Sequence, residues 1–403
     1  MADVISEEDF KAEALAFLEA NASRRQEEKV QEWGKGSDNV SLFAEKSREQ
    51  ELAEVEDAKK WRQQVFDAGF GWITGPGQYG GRELPSSYER AYQSVDAQFS
   101  TPSQGPFGIG LGMVAPTILA HASDKAKDMY LRALWRGDII ACQLFSEPAA
   151  GSDLAGLQTR ADRDGDEWIV NGQKVWTSGA HFSDIGEVIC RTEPDAPKHK
   201  GLTGFVVDMH APGVEVRPLR QMTGGASFNE VFFTDVRIPD SHRLGDVNGG
   251  WTVALTTLMN ERASIGGGGA MGTATLMDML RHQGKAADPV LRYKLVDIYI
   301  HSQVAKFTNQ RAMDKVKAGQ LPGPEMSIAK LSLTQNYSRI ADFVSLALGP
   351  KLAADSGEWG TFAWGDVVLG TPGMRIAGGT DEIMRNIVGE RVLGLPKEPG
   401  LSK

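Results

Sequence analysis

Cysteine is scarce in this chain: only Cys142 and Cys190 occur. A disulfide framework is therefore not expected, and an intracellular, cytoplasmic protein is. No apolar run reaches the ~18 residues that a membrane span needs. No block of Lys and Arg stands against the net charge of -10, which argues against a nucleic-acid surface. The acidic balance reads as a contribution to solubility. The first residues lack the basic start and apolar core of a secretory leader. Instead Phe10, Ala14, Phe17 and Leu18 fall on one helical face. No dinucleotide fingerprint stands between a strand and a helix, and βαβ alternation is missing. Nicotinamide and nucleoside-triphosphate architectures are disfavoured accordingly. No metal-ligand set is assigned.

What is present is a large core and a change of texture. The chain has 403 residues, 41% hydrophobic and 24% charged, enough for two or three domains. Residues 1–137 read mostly as helix, with the proline-free Arg48–Gln64 and the apolar Met113–Ala122 as clear segments. Residues 138–245 read as strands. Asp164–Gly165 and Asn171–Gly172 are turn signals separating Thr159–Arg163, Glu167–Val170 and Gln173–Ser178. Further β-rich runs follow at Val188–Arg191, Thr203–Val207, Val214–Pro218 and Val231–Ile238. From 246 to 403 helical spacing resumes, with Leu291–Lys317 and Ser327–Leu348 as long helices. The expected class is α+β multidomain: a helical domain, a β-barrel or sandwich, and a helical bundle.

Leu144–Asp153, LFSEPAAGSD, is the most informative stretch. Gln143, Ser146 and Ser152 offer side-chain donors. Gly151 permits close approach of the main chain to a flat ligand, and Pro148 fixes a bend. Further on, Trp176 offers an aromatic face while Thr177 and Ser178 offer hydroxyls. This set suits a planar, polar, electron-accepting ring. It suits an ordinary hairpin loop as well.

The longer pattern LFSEPAAGSDLAGLQTRA, with WIVNGQKVWTSGA, FNEVFFTDVRIP and GGTDEIMRNIVGERVLG, resembles the acyl-CoA dehydrogenase family over nearly the whole chain. The resemblance implies an N-terminal helical domain, a middle β domain and a C-terminal four-helix bundle. It implies FAD, α,β-dehydrogenation of an acyl-CoA thioester and an electron-transferring flavoprotein as acceptor. By position, Gln143, Phe145, Ser146, Gly151 and Ser152 match the flavin-contacting loop, and Ser152 also the CoA contact. Trp176, Thr177 and Ser178 match the strand at the isoalloxazine ring, with Ser178 at flavin N5. Thr380 and Glu382 match further flavin contacts.

The reaction needs an unprotonated, poorly solvated group near the thioester α-carbon, a role that a buried Glu fits. The family's commoner position for it is Gly378 here, which carries no carboxylate. The other is Glu261, followed by Arg262, on the first long helix of the C-terminal domain. From the residues alone Glu261 is equally a solvated helix residue with Arg262 as its ion-pair partner. The resemblance makes Glu261 the expected base and Arg262 a substrate contact. Gly266–Gly269 reads either as a widened acyl pocket or as close helix packing. Family members with the base on this helix take branched, long or ring-bearing acyl groups, so a bulky or steroid-derived group is expected.

The chain also departs from the pattern. Relatives complete the adenine end of FAD from a neighbouring subunit with an Arg-x-x-Phe-Gly segment and a Gln-x-x-Gly-Gly loop. Here these regions read RHQGKAAD, at Arg281–Asp288, and ALGP, at Ala347–Pro350. Two assemblies stay open: a homo-oligomer with altered adenine contacts, or an α2β2 heterotetramer in which another family member supplies the missing half. A flavin oxidase or monooxygenase of the same fold, and a non-catalytic partner subunit, are the other functional readings.

Overall fold

The computed structural model describes residues 5–25, 33–42, 46–265, 272–317 and 323–397. Contacts group the chain into two compact units, one built from 1–29, 46–220 and 226–260, the other from 30–45, 221–225 and 261–403.

The first unit begins with helices whose starts are written in the sequence. Helix α1 (Glu7–Asn21) opens on Ser6, whose hydroxyl accepts from Asp9 N, and carries three acidic residues in its first turn. Helix α2 (Arg48–Asp67) opens on a reciprocal capping box between Ser47 and Gln50. Helices α3 (Ser86–Asp96), α4 (Ala115–His121) and α5 (Asp124–Arg136) follow. The expected helix Met113–Ala122 is helical through His121, with a π turn, Gly110–Val114, running directly into α4. Strands β1 (Ser23–Arg24) and β2 (Phe99–Ser100) form a small antiparallel pair.

An eight-stranded sheet makes up the rest of this unit. Its members are β3 (Ala141–Leu144), β4 (Arg160–Asp164), β5 (Glu167–Ser178), β6 (Ile185–Arg191), β7 (Leu202–Asp208), β8 (Val214–Leu219), β9 (Phe228–Pro239) and β10 (Arg243–Leu244). The path runs β10-β7-β6-β4-β5-β9-β8, and β3 pairs with β6 in parallel. Every residue of β6 is buried, as expected of a strand covered on both faces. On one side lies a core of Leu144, Trp168, Val188, Phe205 and Phe233. On the other, Ile185, Ile189 and Val206 pack with Ile118, Leu131 and Val253.

Two turn assignments change. The β4–β5 turn is Gly165–Asp166, one residue later than expected, with Asp164 still paired to Glu167. Asn171–Gly172 is no turn at all. It lies inside the continuous strand β5 at a register shift. Gly172 has φ +151, and a Cβ there would stand 2.6 Å from Thr159 Oγ1. The glycine serves a bulge and a close approach, not a hairpin.

Helix α6 (Gly250–Ile265) starts among the residues of the first unit. The second unit holds α7 (Thr273–His282), α8 (Pro289–Lys317), α9 (Ser327–Leu348), α10 (Trp364–Ile376) and α11 (Asp381–Ile387). Leu276, Leu280, Leu295, Ile298, Phe343, Val344 and Trp364 form its core, the stripe that helical spacing predicts. Among the described residues, no helix is long and apolar enough to cross a membrane.

Candidate active site

The loop after β3 is held from within. Glu147 and Ala150 exchange backbone hydrogen bonds, Glu147 N to Ala150 O at 3.0 Å and the reverse at 3.1 Å. The Glu147 carboxylate turns inward and accepts from Gln158 N at 2.6 Å and Thr159 N at 2.8 Å. Lys174 Nζ reaches it at 2.9 Å and also donates to Phe145 O at 3.1 Å. Burial alone would raise the Glu147 carboxyl. The Lys174 ammonium and the Lys174, Thr159 and Gln158 hydrogen bonds outweigh it and hold the group below its ordinary value. Val175 N donates to Ser146 O at 2.8 Å, which ties the loop to β5 directly.

These anchors leave the outer residues available. Gln143 is half-buried and in register with Glu187. Phe145 is buried, Ser146 half-buried, and Gly151 and Ser152 are exposed. Gly151 has no left-handed φ, and among the described residues nothing lies within 4 Å of where its Cβ would be. The protein's own backbone therefore gives no reason for a glycine here, while a ligand lying against the loop would.

Strand β5 ends in a second register shift, between Lys174 and Thr177. Trp176 sits on it with φ +62 and 60% of its surface exposed. A bulky residue in the left-handed region is strained, and an exposed indole is costly to leave in water. Thr177 is 1% exposed, yet its hydroxyl has no partner among the described residues. Ser178 lines a cleft of about 200 Å³ together with Glu51, Pro106, Ile109, Gly179 and Ser227. An uncovered aromatic face, an orphaned buried hydroxyl and a second hydroxyl on a cleft fit a flat heteroaromatic group with polar edges.

Beneath the loop lies a carboxyl that sequence reasoning did not single out. Glu187 on β6 is fully buried, and burial pushes its carboxyl up to about 8. Its Oε1 is 2.6 Å from Thr257 Oγ1 on α6, which is 2.9 Å from Thr117 Oγ1, which donates to Met113 O at 2.8 Å. Four residues beyond Thr257 on the same helix is Glu261, half-buried. Arg262 is helical, but its side chain lies outside the described residues, as do Gly266–Gly269 entirely.

In the second unit, Gly378 (φ +65) and Gly379 (φ +88) lead into Thr380. Its hydroxyl caps α11 by accepting from Ile383 N at 3.2 Å. Glu382 is exposed and pairs with Arg385 at 3.1 Å. The fixed point of this turn is Asp381, fully buried and bonded to Thr334 Oγ1 at 2.7 Å, Arg375 Nε at 2.9 Å and Lys330 Nζ at 3.2 Å. The two segments that depart from the family pattern meet in this unit: Lys285 Nζ donates to Ala347 O at 2.6 Å. Asp288 caps α8, accepting from Val290 N and Leu291 N at 2.8 and 3.0 Å.

Two family models match the chain: "Acyl-CoA dehydrogenase, middle domain" over residues 142–236, and "Acyl-CoA dehydrogenase, C-terminal domain" over 248–393. Acyl-CoA dehydrogenase IpdE1 of Mycobacterium tuberculosis is 34% identical over 354 residues, covering 85% of this chain and 89% of that protein. The chain belongs to the acyl-CoA dehydrogenase family. Acyl-CoA dehydrogenase FadE34 of the same organism is 40% identical over 285 residues, 70% of this chain. That match spans only 39% of the longer relative. Among solved structures, one titled "Tcur3481-Tcur3483 steroid ACAD" has a TM-score of 0.72 at 25% identity and covers 97% of this chain and 98% of that one. A second, titled as the ChsE4-ChsE5 complex from Mycobacterium tuberculosis, has a TM-score of 0.69 at 24% identity, covering 99% and 100%; it shows the fold.

Family membership places this acyl-CoA dehydrogenase among FAD-dependent oxidoreductases, as the resemblance implies. Glu147, Lys174, Glu187 and Asp381 are what that reading missed. Each is a buried ionisable residue. The signal in sequence was faint: Lys174 alternates with Val170 and Trp168 on the inward face of β5, where an ammonium needs a buried partner.

Proposed function

We propose that this acyl-CoA dehydrogenase removes the α-proton of a bulky, steroid-derived acyl-CoA thioester with Glu261 and introduces an α,β double bond. Bound FAD supplies the hydride acceptor for the β-carbon at N5. Gln143, Phe145, Ser146, Gly151 and Ser152 would hold it from the loop and Trp176, Thr177 and Ser178 from the strand, with Thr380 and Glu382 as further contacts. Ser152 and Arg262 contact the thioester substrate. The assignment of parts follows the reading of 1–137 as helical domain, 138–245 as β domain and 246–403 as helical domain, in a cytoplasmic enzyme.

The observation that carries this reading is the end of β5, where an exposed Trp176 in a strained conformation adjoins the unpartnered Thr177 hydroxyl. For the base, Gly378 has no side chain and Glu261 stands on α6. For the substrate class, support comes from the relative whose title reads steroid ACAD. Anaerobic titration with straight, branched and steroid-derived acyl-CoA thioesters tests the proposal. Bleaching of the flavin by the bulky thioesters is expected. A flavin bleached by none of them, or one whose reduced form is reoxidised fastest by oxygen, overturns it.

The partner set is an electron-transferring flavoprotein and a second family member in an α2β2 assembly. Support comes from the Lys285–Ala347 contact, made within this chain where relatives reach a neighbouring subunit's FAD. Tyr293, Val296, Ile300, Val304 and Phe307 form an exposed apolar stripe on α8, the kind of surface that a partner subunit covers. A neighbour of this fold has been solved as a complex, titled the ChsE4-ChsE5 complex. The mass of the purified chain decides: a stable homo-oligomer with one FAD per chain refutes the heteromer.

A further inference from the structure

A hydrogen-bonded chain runs from α2 to the flavin strand. His181 lies just past β5 with its side chain largely buried. Its Nε2 is 2.7 Å from Glu51 Oε2. Its Nδ1 is 2.9 Å from Asn229 Nδ2 and 3.2 Å from Asn229 Oδ1. Asn229, fully buried on β9, donates from Nδ2 to Thr177 O at 3.0 Å. Arg48 closes the far end, donating to His181 O at 2.8 Å and to Glu51 Oε2 at 3.3 Å.

The protons fall into place. Asn229 carries two hydrogens on Nδ2. One goes to the Thr177 carbonyl and the other points to His181 Nδ1, the closer contact. The imidazole proton then sits on Nε2 and faces the Glu51 carboxylate, whose orientation Arg48 fixes.

This chain acts where the sheet ladder restarts, with Thr177 in register with Asn229 and Ser178 with Phe228. The register shift between Lys174 and Thr177 interrupts the pairing of β5 with β9 just before this point, and such an irregularity bends the strand and re-aims its side chains; the Asn229 side chain adds a hold on the first peptide after it. The Thr177 carbonyl belongs to the same planar peptide as Ser178 N. Holding that oxygen fixes the plane from which Ser178 projects, one residue before Gly179 at φ +66. Glu51 and Ser178 also line the same cleft.

We propose that His181 is a positioning residue for the flavin: Glu51 orients it, and through Asn229 it fixes the Thr177–Ser178 peptide and hence the Ser178 hydroxyl. The inference rests on the reading that Ser178 faces the flavin ring.

The test is FAD titration into the full-length chain in its native assembly, recording affinity, the visible flavin bands and the melting temperature. Asn229→Ala and His181→Ala are expected to weaken FAD about 5- to 10-fold, the worth of one lost buried hydrogen bond, and to shift the flavin bands. His181→Asn puts an amide where Nδ1 stood and is expected to restore both properties. His181→Gln reaches only Glu51 and is expected to resemble His181→Ala. Should His181→Ala fail to fold, Asn229→Ala against His181→Asn carries the comparison. A lower melting temperature with unchanged affinity and bands in Asn229→Ala, while Ser178→Ala alters both, overturns the positioning role. If Ser178→Ala also leaves them unchanged, the flavin-facing reading of Ser178 falls and the relay with it.

Discussion

Lys174 Nζ lies 2.9 Å from Glu147 Oε1, and the two side chains are 0% and 6% exposed. The pair joins the inner end of the loop after β3 to the strand that carries Trp176–Ser178. Two residues 27 apart in sequence thereby fix the spacing between that loop and the end of β5. Removing charges from water is expensive, and their mutual attraction offsets that cost only where the geometry is good.

Lys174→Met should destabilise the protein by roughly 3–5 kcal/mol, because it strands a buried carboxylate. The double change Lys174→Met with Glu147→Leu should cost less than the single one. Denaturant midpoints measure both. The pH dependence has a definite sign. The folded-state value of Glu147 is depressed, so its stabilisation is present above the unfolded value near ~4.3. It is lost as pH falls through the folded value.

Glu187 predicts the opposite slope. Its carboxyl is raised to about 8 in the folded protein, so the folded state keeps a proton that the unfolded chain releases above ~4.3. Stability should fall as pH rises across that interval and level off beyond about 8. Glu187→Gln removes the titration while keeping the shape. Unfolding measured from pH 5 to 9 should show a flatter profile in the variant at about equal or greater stability near neutrality.

Thr177→Val separates folding from cofactor binding. The Thr177 hydroxyl is buried without a partner among the described residues, and an unmade buried hydrogen bond costs about 1–3 kcal/mol. The variant without FAD should melt at or above the temperature of the parent, while its FAD dissociation constant rises. Thermal melts and fluorescence titration of FAD check the two arms.

Glu261→Gln should keep the flavin spectrum and lower turnover by about 10²- to 10⁴-fold, the usual contribution of a positioned general base. Steady-state kinetics with an artificial electron acceptor measure it. Normal turnover in this variant removes Glu261 from the mechanism.

Much of the fold was legible. The helix Ser327–Leu348 matches its expected bounds, and Arg48–Gln64 falls short of the observed end by three residues, because apolar period and caps act locally. Asn171–Gly172 misled, since the same dipeptide that builds a tight turn also tolerates a bulge, and the neighbour Thr159 made the choice. Strand β3 escaped notice because four residues carry too little pattern. Its parallel pairing with β6 is a contact across more than 40 positions, which no local signal reports.

The sequence by itself determined the family and the absence of a carboxylate at Gly378, because each is a matter of residue identity at a spacing. Only the tertiary structure decided which groups stand beside them. Lys174 against Glu147, Thr257 against Glu187, Asp381 among Lys330, Thr334 and Arg375, and His181 between Glu51 and Asn229 are all distant pairings. Burial gives these contacts their energetic weight, because a polar group removed from water depends on the partner it meets there. Burial is a property of the folded chain.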